Sequence, residues 1–177
     1  MVPDSIVIRS ELLLTAEEAR AYFRGRLARA HSVTCHGRPV DIVFERDATH
    51  IFSEDAKGQA IATDAQVVRR IPIGGGRVRT EIRKFSIERA RLLDFILPAI
   101  SKFTVSVPQG GGPSAMGKRV LYGPPLPVHI CGHDRVLRVV LRPGPVRAWT
   151  VVTAYPVTYD EWRDATRLVR ARFPPDE

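Results

Sequence analysis

The chain has 177 residues, 44% of them hydrophobic and 26% charged, which is enough for one globular domain with a substantial core. Its 27 basic and 19 acidic residues give a formal net charge of +8, which favours a polyanionic partner such as nucleic acid. Two cysteines exclude a disulfide scaffold; with no leader pattern and no apolar run of roughly 18 residues, a cytoplasmic protein without membrane association is expected.

Three segments of the chain carry helix signals, and two of them open with a capping box. Thr15 precedes Glu18, and Thr158 precedes Glu161, by the three residues that let the side chains cap the first turn. Ser86 caps a third segment whose apolar residues recur on most sides, which indicates a core helix. The predicted elements are an N-terminal helix at about 16–30, a core helix at about 87–100 and a C-terminal helix at about 159–172.

The stretch 135–155 carries the strongest strand signal and predicts a β-hairpin. Two arms rich in β-branched residues flank a Pro-Gly-Pro turn at 143–145, which reverses the chain. Successive side chains on a strand point to opposite faces. One face of the second arm is therefore expected to gather Arg147, Trp149, Val151, Thr153 and Tyr155. Arginine, aromatic and hydroxyl side chains together are typical of a surface that binds a planar, anionic group.

The segments 66–73 and 77–85 form the most basic region of the chain. They are predicted either to pair as a second hairpin about the triglycine 74–76 or to flank a flexible glycine loop. The triglycine is not a phosphate-binding P-loop, because it lacks the G-x-x-x-x-G-K-[ST] pattern. Alternating apolar residues indicate shorter strands at 40–44 and 103–107. The predicted substrate-binding residues are Arg77, Arg79, Arg83 and Lys84 of this region, with Arg147 and Trp149 of the closing hairpin.

These elements predict a single α+β domain over 1–177. Its antiparallel sheet would have four to six strands, with the N-terminal and core helices packed on one face and the C-terminal helix added after the closing hairpin. The other face of the sheet is expected to form the floor of a basic cleft.

The polar segment 45–55, directly after the strand at 40–44, contains the first candidate for chemistry, His50. Cleavage of RNA without a metal needs a base for the 2′-hydroxyl proton, an acid for the leaving oxygen and donors that hold the phosphate. His50 has a suitable ordinary pKa, and Arg46, Thr153 and Tyr155 are the predicted residues that complete the catalytic set. The alternatives are a hydrogen-bonded loop histidine and ordinary strand residues.

A second candidate is the run that contains His129, Cys131 and His133. These are zinc-ligand types, but their spacing is not that of structural zinc sites, so no metal and no cofactor is predicted. His129 and His133 remain alternative catalytic candidates. A serine or cysteine nucleophile is disfavoured, because the chain lacks a G-x-S-x-G elbow.

Asp47-Ala48-Thr49-His50 and the arms 136–141 and 149–155 together resemble the barnase–EndoU–colicin–RelE-like nuclease superfamily, in particular its phage and bacterial toxin forms. This resemblance implies metal-independent ribonuclease activity, with His50 as the histidine of the family and Thr153 as the polar residue of its last strand. It also implies a cognate inhibitor protein.

The chain departs from the patterns of this superfamily in three respects. EndoU-type members use two histidines and a lysine, and His50 has no evident second histidine. Barnase-like members use a glutamate as base, for which Glu81 is the candidate. The helix predicted at about 159–172 is an addition.

Three functions remain open at this level. The first is a toxin-like or phage-derived endoribonuclease that works by general acid–base catalysis without metal. The second is a non-catalytic nucleic-acid-binding or toxin–antitoxin interaction module. The third is a structural or accessory protein whose charge serves solubility.

Overall fold

The computed structural model describes residues 9–45, 49–110 and 117–176, and within these ranges the chain has an α+β fold. The strands are β1 (His31–Cys35), β2 (Arg38–Phe44), β3 (Ser53–Glu54), β4 (Gln66–Gly74), β5 (Arg77–Phe85), β6 (Val105–Pro108), β7 (Arg119–Pro125), β8 (Arg135–Pro143) and β9 (Trp149–Thr158). The helices are α1 (Ala16–Arg26), α2 (Ile87–Arg91), α3 (Ile96–Ser101), α4 (Val128–Cys131) and α5 (Tyr159–Arg167). None of the helices in these ranges is long and apolar enough to cross a membrane.

Six strands form a curled sheet in the order β1-β2-β9-β8-β7-β6. The prediction of a purely antiparallel sheet is wrong, because β2 and β9 pair in parallel, from Ile42 opposite Trp149 to Phe44 opposite Val151. More than a hundred residues separate these strands along the chain, so no hairpin turn dictates their relative direction.

The remaining strands form a small sheet in the order β3-β5-β4, and its main part is the predicted hairpin of β4 and β5. The turn uses Gly74, Gly75 and Gly76 at φ values of 91°, 59° and 71°, a left-handed conformation that costs glycine little. Cross-strand pairing places Arg69 opposite Glu81, so their side chains lie on the same face of the hairpin.

The large sheet has a hydrophobic cluster on each face. Helices α1, α2 and α3 pack on one face against Leu121, Leu137 and Val139, while α5 packs on the other. The predicted C-terminal helix ends at Arg167 instead of about 172, because the chain turns back to bury Phe173 in the first cluster.

The predicted core helix is broken into α2, a 3-10 turn and α3. Pro98 lacks the N–H that would reach the Asp94 carbonyl, and its ring crowds that carbonyl, so a regular helix cannot continue through this turn. The predicted N-terminal helix also ends early, at Arg26.

Strand β9 contains a bulge that changes the faces of its side chains. Val140 lies opposite Thr153 but Leu141 lies opposite Val151, so Val152 is an extra residue. Trp149 and Val151 consequently pack toward the face covered by α1, α2 and α3, whereas Tyr155 joins the cluster on the other face, beneath α5. The prediction that Trp149, Val151, Thr153 and Tyr155 share one exposed face is therefore wrong, since strict alternation does not hold across a bulge.

Candidate functional site

His50 lies on a 3-10 turn, Thr49–Ile51, that follows the end of β2 and packs along β9. Thr49, Ile51 and Phe52 are buried, so they anchor the turn while the imidazole of His50 is only partly buried. Arg46, the other candidate of this segment, lies outside the described residues.

A carboxylate between two arginines lies on the β4–β5 hairpin. The carboxylate of Glu81 is 3.6 Å from Nη1 of Arg69 and 3.4 Å from Nη1 of Arg83. Arg69 is the cross-strand partner of Glu81, and Arg83 is two residues further along β5, so all three share one face of the hairpin. Arg83 is buried and Glu81 is partly exposed.

The charges of Arg69, Glu81 and Arg83 act on the pKa of His50. Burial, followed by the positive charges of Arg83 and Arg69, lowers the pKa of the His50 imidazole, and the carboxylates of Glu45 and Glu81 offset only part of this effect. The imidazole is therefore neutral near pH 7. A bound phosphate would add negative charge beside it and raise its pKa, which is how such a group gains a proton when the substrate arrives.

Ser53 holds two arginines of this region in place. Its Oγ accepts from Nε of Arg83 at 2.9 Å, and its carbonyl accepts from Nη1 of Arg89 at 2.8 Å. The same Nη1 donates to the carbonyl of His50 at 3.2 Å, and the hydroxyl of Ser53 donates to the carbonyl of Thr49. The turn that carries His50 and the arginine beside Glu81 are thus positioned by one hydrogen-bonded network.

Tyr155 connects to this network through Arg89. The guanidinium of Arg89 lies 5.1 Å from the centre of the Tyr155 ring, and that of Arg138 lies 5.2 Å from it. The hydroxyl of Tyr155 accepts a hydrogen bond from Nη1 of Arg138. Thr153 is two residues away on the same strand, opposite Val140. Tyr155 therefore contacts a residue that positions His50.

The other predicted binding residues lie outside the trio of Arg69, Glu81 and Arg83. Arg77 and Arg79 are exposed near the tip of the hairpin, whereas the exposed Lys84 follows Arg83 on β5 and lines a groove with it. Trp149 begins β9, about 20 Å along the strand from Tyr155, and Arg147 ends the 3-10 turn that precedes it. Trp149 packs there on Phe173 with ring centres 5.1 Å apart, and with Arg147 it lines a separate groove.

The run 128–133 forms the short helix α4 and a turn. Nε2 of His129 is 3.6 Å from the carboxylate of Glu11, and Cys131 is an unpaired thiol. Across 9–45, 49–110 and 117–176, no three His, Cys, Asp or Glu side chains group as metal ligands would.

Three residues of the site were not among the predicted catalytic or binding residues: Ser53, Arg69 and Arg89. Glu81 had been named only as the base that the barnase-like pattern would require. The pairing of Arg69 with Glu81 follows from a hairpin centred on 74–76, so the sequence contained that signal. Ser53 and Arg89 act through hydrogen bonds between segments that are distant along the chain, and nothing in their sequence context indicates this. No family model, no curated protein and no solved structure matches the chain.

Proposed function

We propose that this protein is a metal-independent endoribonuclease, toxin-like or phage-derived, that cleaves RNA by general acid–base catalysis. The observation that carries the proposal is the combination of His50 with a carboxylate, Glu81, that is flanked by Arg69 and Arg83. A proton donor, a proton acceptor and two fixed cations are what phosphodiester cleavage needs from a protein.

In the proposed reaction Glu81 is the base and His50 the acid. The scissile phosphate binds between Arg69 and Arg83, which releases the Glu81 carboxylate from its ion pairs and raises the pKa of His50 so that it takes up a proton. Glu81 then removes the proton of the 2′-hydroxyl, whose oxygen attacks phosphorus. The bond to the 5′-oxygen breaks, and His50 gives its proton to that oxygen.

The products of this step are a 2′,3′-cyclic phosphate and a 5′-hydroxyl end. Arg69 and Arg83 stabilise the charge that builds on the phosphate oxygens in the transition state. Arg83 is suited to this role because Ser53 fixes its side chain, so little reorganisation is needed during the reaction. Tyr155, Thr153 and Arg46 have supporting roles in this proposal, and the chemistry itself is assigned to His50 and Glu81.

The proposal is tested by incubating the purified protein with total RNA in EDTA. Wild type is expected to produce fragments with cyclic phosphate ends, and His50→Ala to lose about 100-fold to 10,000-fold of the activity. His133→Ala is the matched control, because His133 is exposed in the turn after α4. Equal cleavage by wild type and His50→Ala, or cleavage that EDTA abolishes, would contradict the proposal.

The second candidate function is nucleic-acid binding without catalysis, and the distal part of the β4–β5 hairpin favours it. Arg77 and Arg79 are exposed there, and the arginines that pair with Glu81 are Arg69 and Arg83. RNA that is retained in a salt-sensitive shift assay but never cleaved would favour this function. Wild-type cleavage would exclude it.

Two further proposals accompany the ribonuclease. A nuclease that attacks cellular RNA requires restraint, so a cognate inhibitor protein is proposed as its partner. The cytoplasm is proposed as its compartment, which agrees with the unpaired thiols of Cys35 and Cys131.

A further inference from the structure

A positively charged groove of about 460 Å³ lies beside the His50 site. The charged residues that line it are Lys57, Arg83, Lys84, Arg89, Glu54 and Asp55. Its four cations outnumber its two carboxylates, so the groove attracts anions. Arg83 belongs both to this groove and to the trio with Glu81, and it therefore forms a shared wall between the two sites.

The two arginines of the groove are held rigidly by the protein itself. Arg83 is bound through Nε to the hydroxyl of Ser53, and Arg89 is bound through Nη1 to the carbonyls of Ser53 and His50. Fixed guanidinium groups bind phosphate with less loss of side-chain entropy than free ones. Such preorganisation is typical of a binding site and not of a solvated charged surface.

The carboxylates of the groove are compatible with an anionic ligand. Oδ1 of Asp55 accepts from the backbone N–H of Lys57 at 3.0 Å, which closes a local turn and uses part of its acceptor capacity. Glu54 lies opposite Lys84 in the pairing of β3 with β5. Both lysines of the groove are exposed, Lys57 in the turn after β3 and Lys84 on β5.

We infer that this groove binds the backbone phosphate next to the scissile phosphate of a single-stranded polynucleotide. The inference rests on the proposed function, since it takes His50 and Glu81 as the place of cleavage. Two phosphate sites that share Arg83 accommodate consecutive phosphates of one strand, whereas a mononucleotide or inorganic phosphate fills only one. The preferred substrate is therefore an RNA strand with several phosphates, and a dinucleotide is a poor substrate.

The inference is tested by calorimetric binding of thymidine oligonucleotides of two and four residues, which lack the 2′-hydroxyl and cannot be cleaved. Wild type is expected to bind the tetranucleotide more tightly than the dinucleotide. The double variant Lys57→Gln, Lys84→Gln is expected to lose about tenfold in tetranucleotide affinity and most of that length preference. The slope of log K against log salt is expected to fall by about 0.7 for each phosphate contact removed.

Lys102→Gln is the matched control, because it removes one exposed charge beyond the C-terminal end of α3 and outside the groove. Affinities, length preference and salt slope that are the same in the double variant as in Lys102→Gln would overturn the inference.

Binding and cleavage distinguish the two proposals. If the double variant binds the tetranucleotide weakly while wild type never cleaves RNA, the groove is supported as a phosphate-binding site, and the ribonuclease proposal is wrong. If wild type cleaves RNA through His50 while the double variant keeps the wild-type KM and salt slope, the groove proposal alone is wrong.

Discussion

Nε of Arg83 donates a 2.9 Å hydrogen bond to Oγ of Ser53, and both side chains are buried. Ser53→Ala removes this acceptor and leaves a buried donor unsatisfied, which is expected to cost about 1–3 kcal/mol of unfolding free energy. Urea denaturation measures this loss. Ser32→Ala, at an exposed position on the edge strand β1, is the control and is expected to change stability by less than about 0.5 kcal/mol.

The same substitution is expected to lower kcat more than it raises KM, because Arg83 would no longer be fixed where charge develops. A Ser53→Ala protein with wild-type stability and wild-type kcat would show that this hydrogen bond neither stabilises the fold nor positions Arg83 for catalysis.

Glu81 is expected to be essential for the chemical step and not for folding. Glu81→Gln keeps the size of the side chain but removes the base, so kcat is expected to fall by about 100-fold to 10,000-fold. The loss of ion pairs with Arg69 and Arg83 is expected to leave phosphate binding intact, or to strengthen it. Single-turnover cleavage and oligonucleotide binding measure the two effects separately. Asp64→Asn, at an exposed turn before β4, is the control.

Stability is expected to depend on pH through His50. Its pKa is lower in the folded protein than in the unfolded chain, so the unfolded chain binds more protons between the two values. The contribution of His50 to stability is therefore fully present above about pH 6.5 and is lost as pH falls toward the folded-state pKa. Denaturation of wild type and His50→Gln between about pH 5 and 8 measures this. A wild-type profile that is no steeper than that of His50→Gln would show that burial and the two arginines do not lower the pKa of His50.

The local elements of this fold could be predicted from the sequence, because capping residues and turn residues act over a few positions. The capping box of Thr15 and Glu18 is present in the structure, and the hydroxyls of Thr158 and Ser86 each accept from the third residue of their helix. Strands β1, β3 and β7 were not predicted, and β7 ends in Gly123-Pro124-Pro125, which is typical of a turn. The parallel pairing of β2 with β9 depends on contacts between distant segments, which no local signal encodes.

The site could be predicted only in part for the same reason. His50 was identified from its chemistry and from its position after a strand. Its grouping with Arg69, Glu81 and Arg83 depends on how the hairpin folds against the turn at 49–51, which is tertiary information. The bulge at Val152 separated Trp149 from Tyr155, and strict strand alternation gives no warning of such an insertion.

Tyr155 is expected to act through packing and not as a proton donor. Tyr155→Phe removes the hydroxyl that accepts from Arg138 but keeps the ring between Arg89 and Arg138, so kcat is expected to change by less than about fivefold. Tyr155→Leu removes the ring and is expected to lower kcat further, because Arg89 would be held less firmly against the His50 carbonyl. Steady-state kinetics of both variants measure this. A large loss of kcat in Tyr155→Phe would instead make the hydroxyl a catalytic group.

Gly123 is not expected to tolerate a side chain, because α3 approaches β7 closely there. A Cβ at this position would lie 2.8 Å from Cβ of Ala99 and 3.2 Å from its Cα, so the helix would have to move. Gly123→Ala is expected to lower the unfolding free energy by about 1–3 kcal/mol. Gly25→Ala is the matched control: nothing lies within 4 Å of a Cβ there, and within α1 the change is expected to stabilise the protein by about 0.5–1 kcal/mol. Urea denaturation of both variants measures the difference, and equal effects in the two variants would contradict the close packing of α3 on β7.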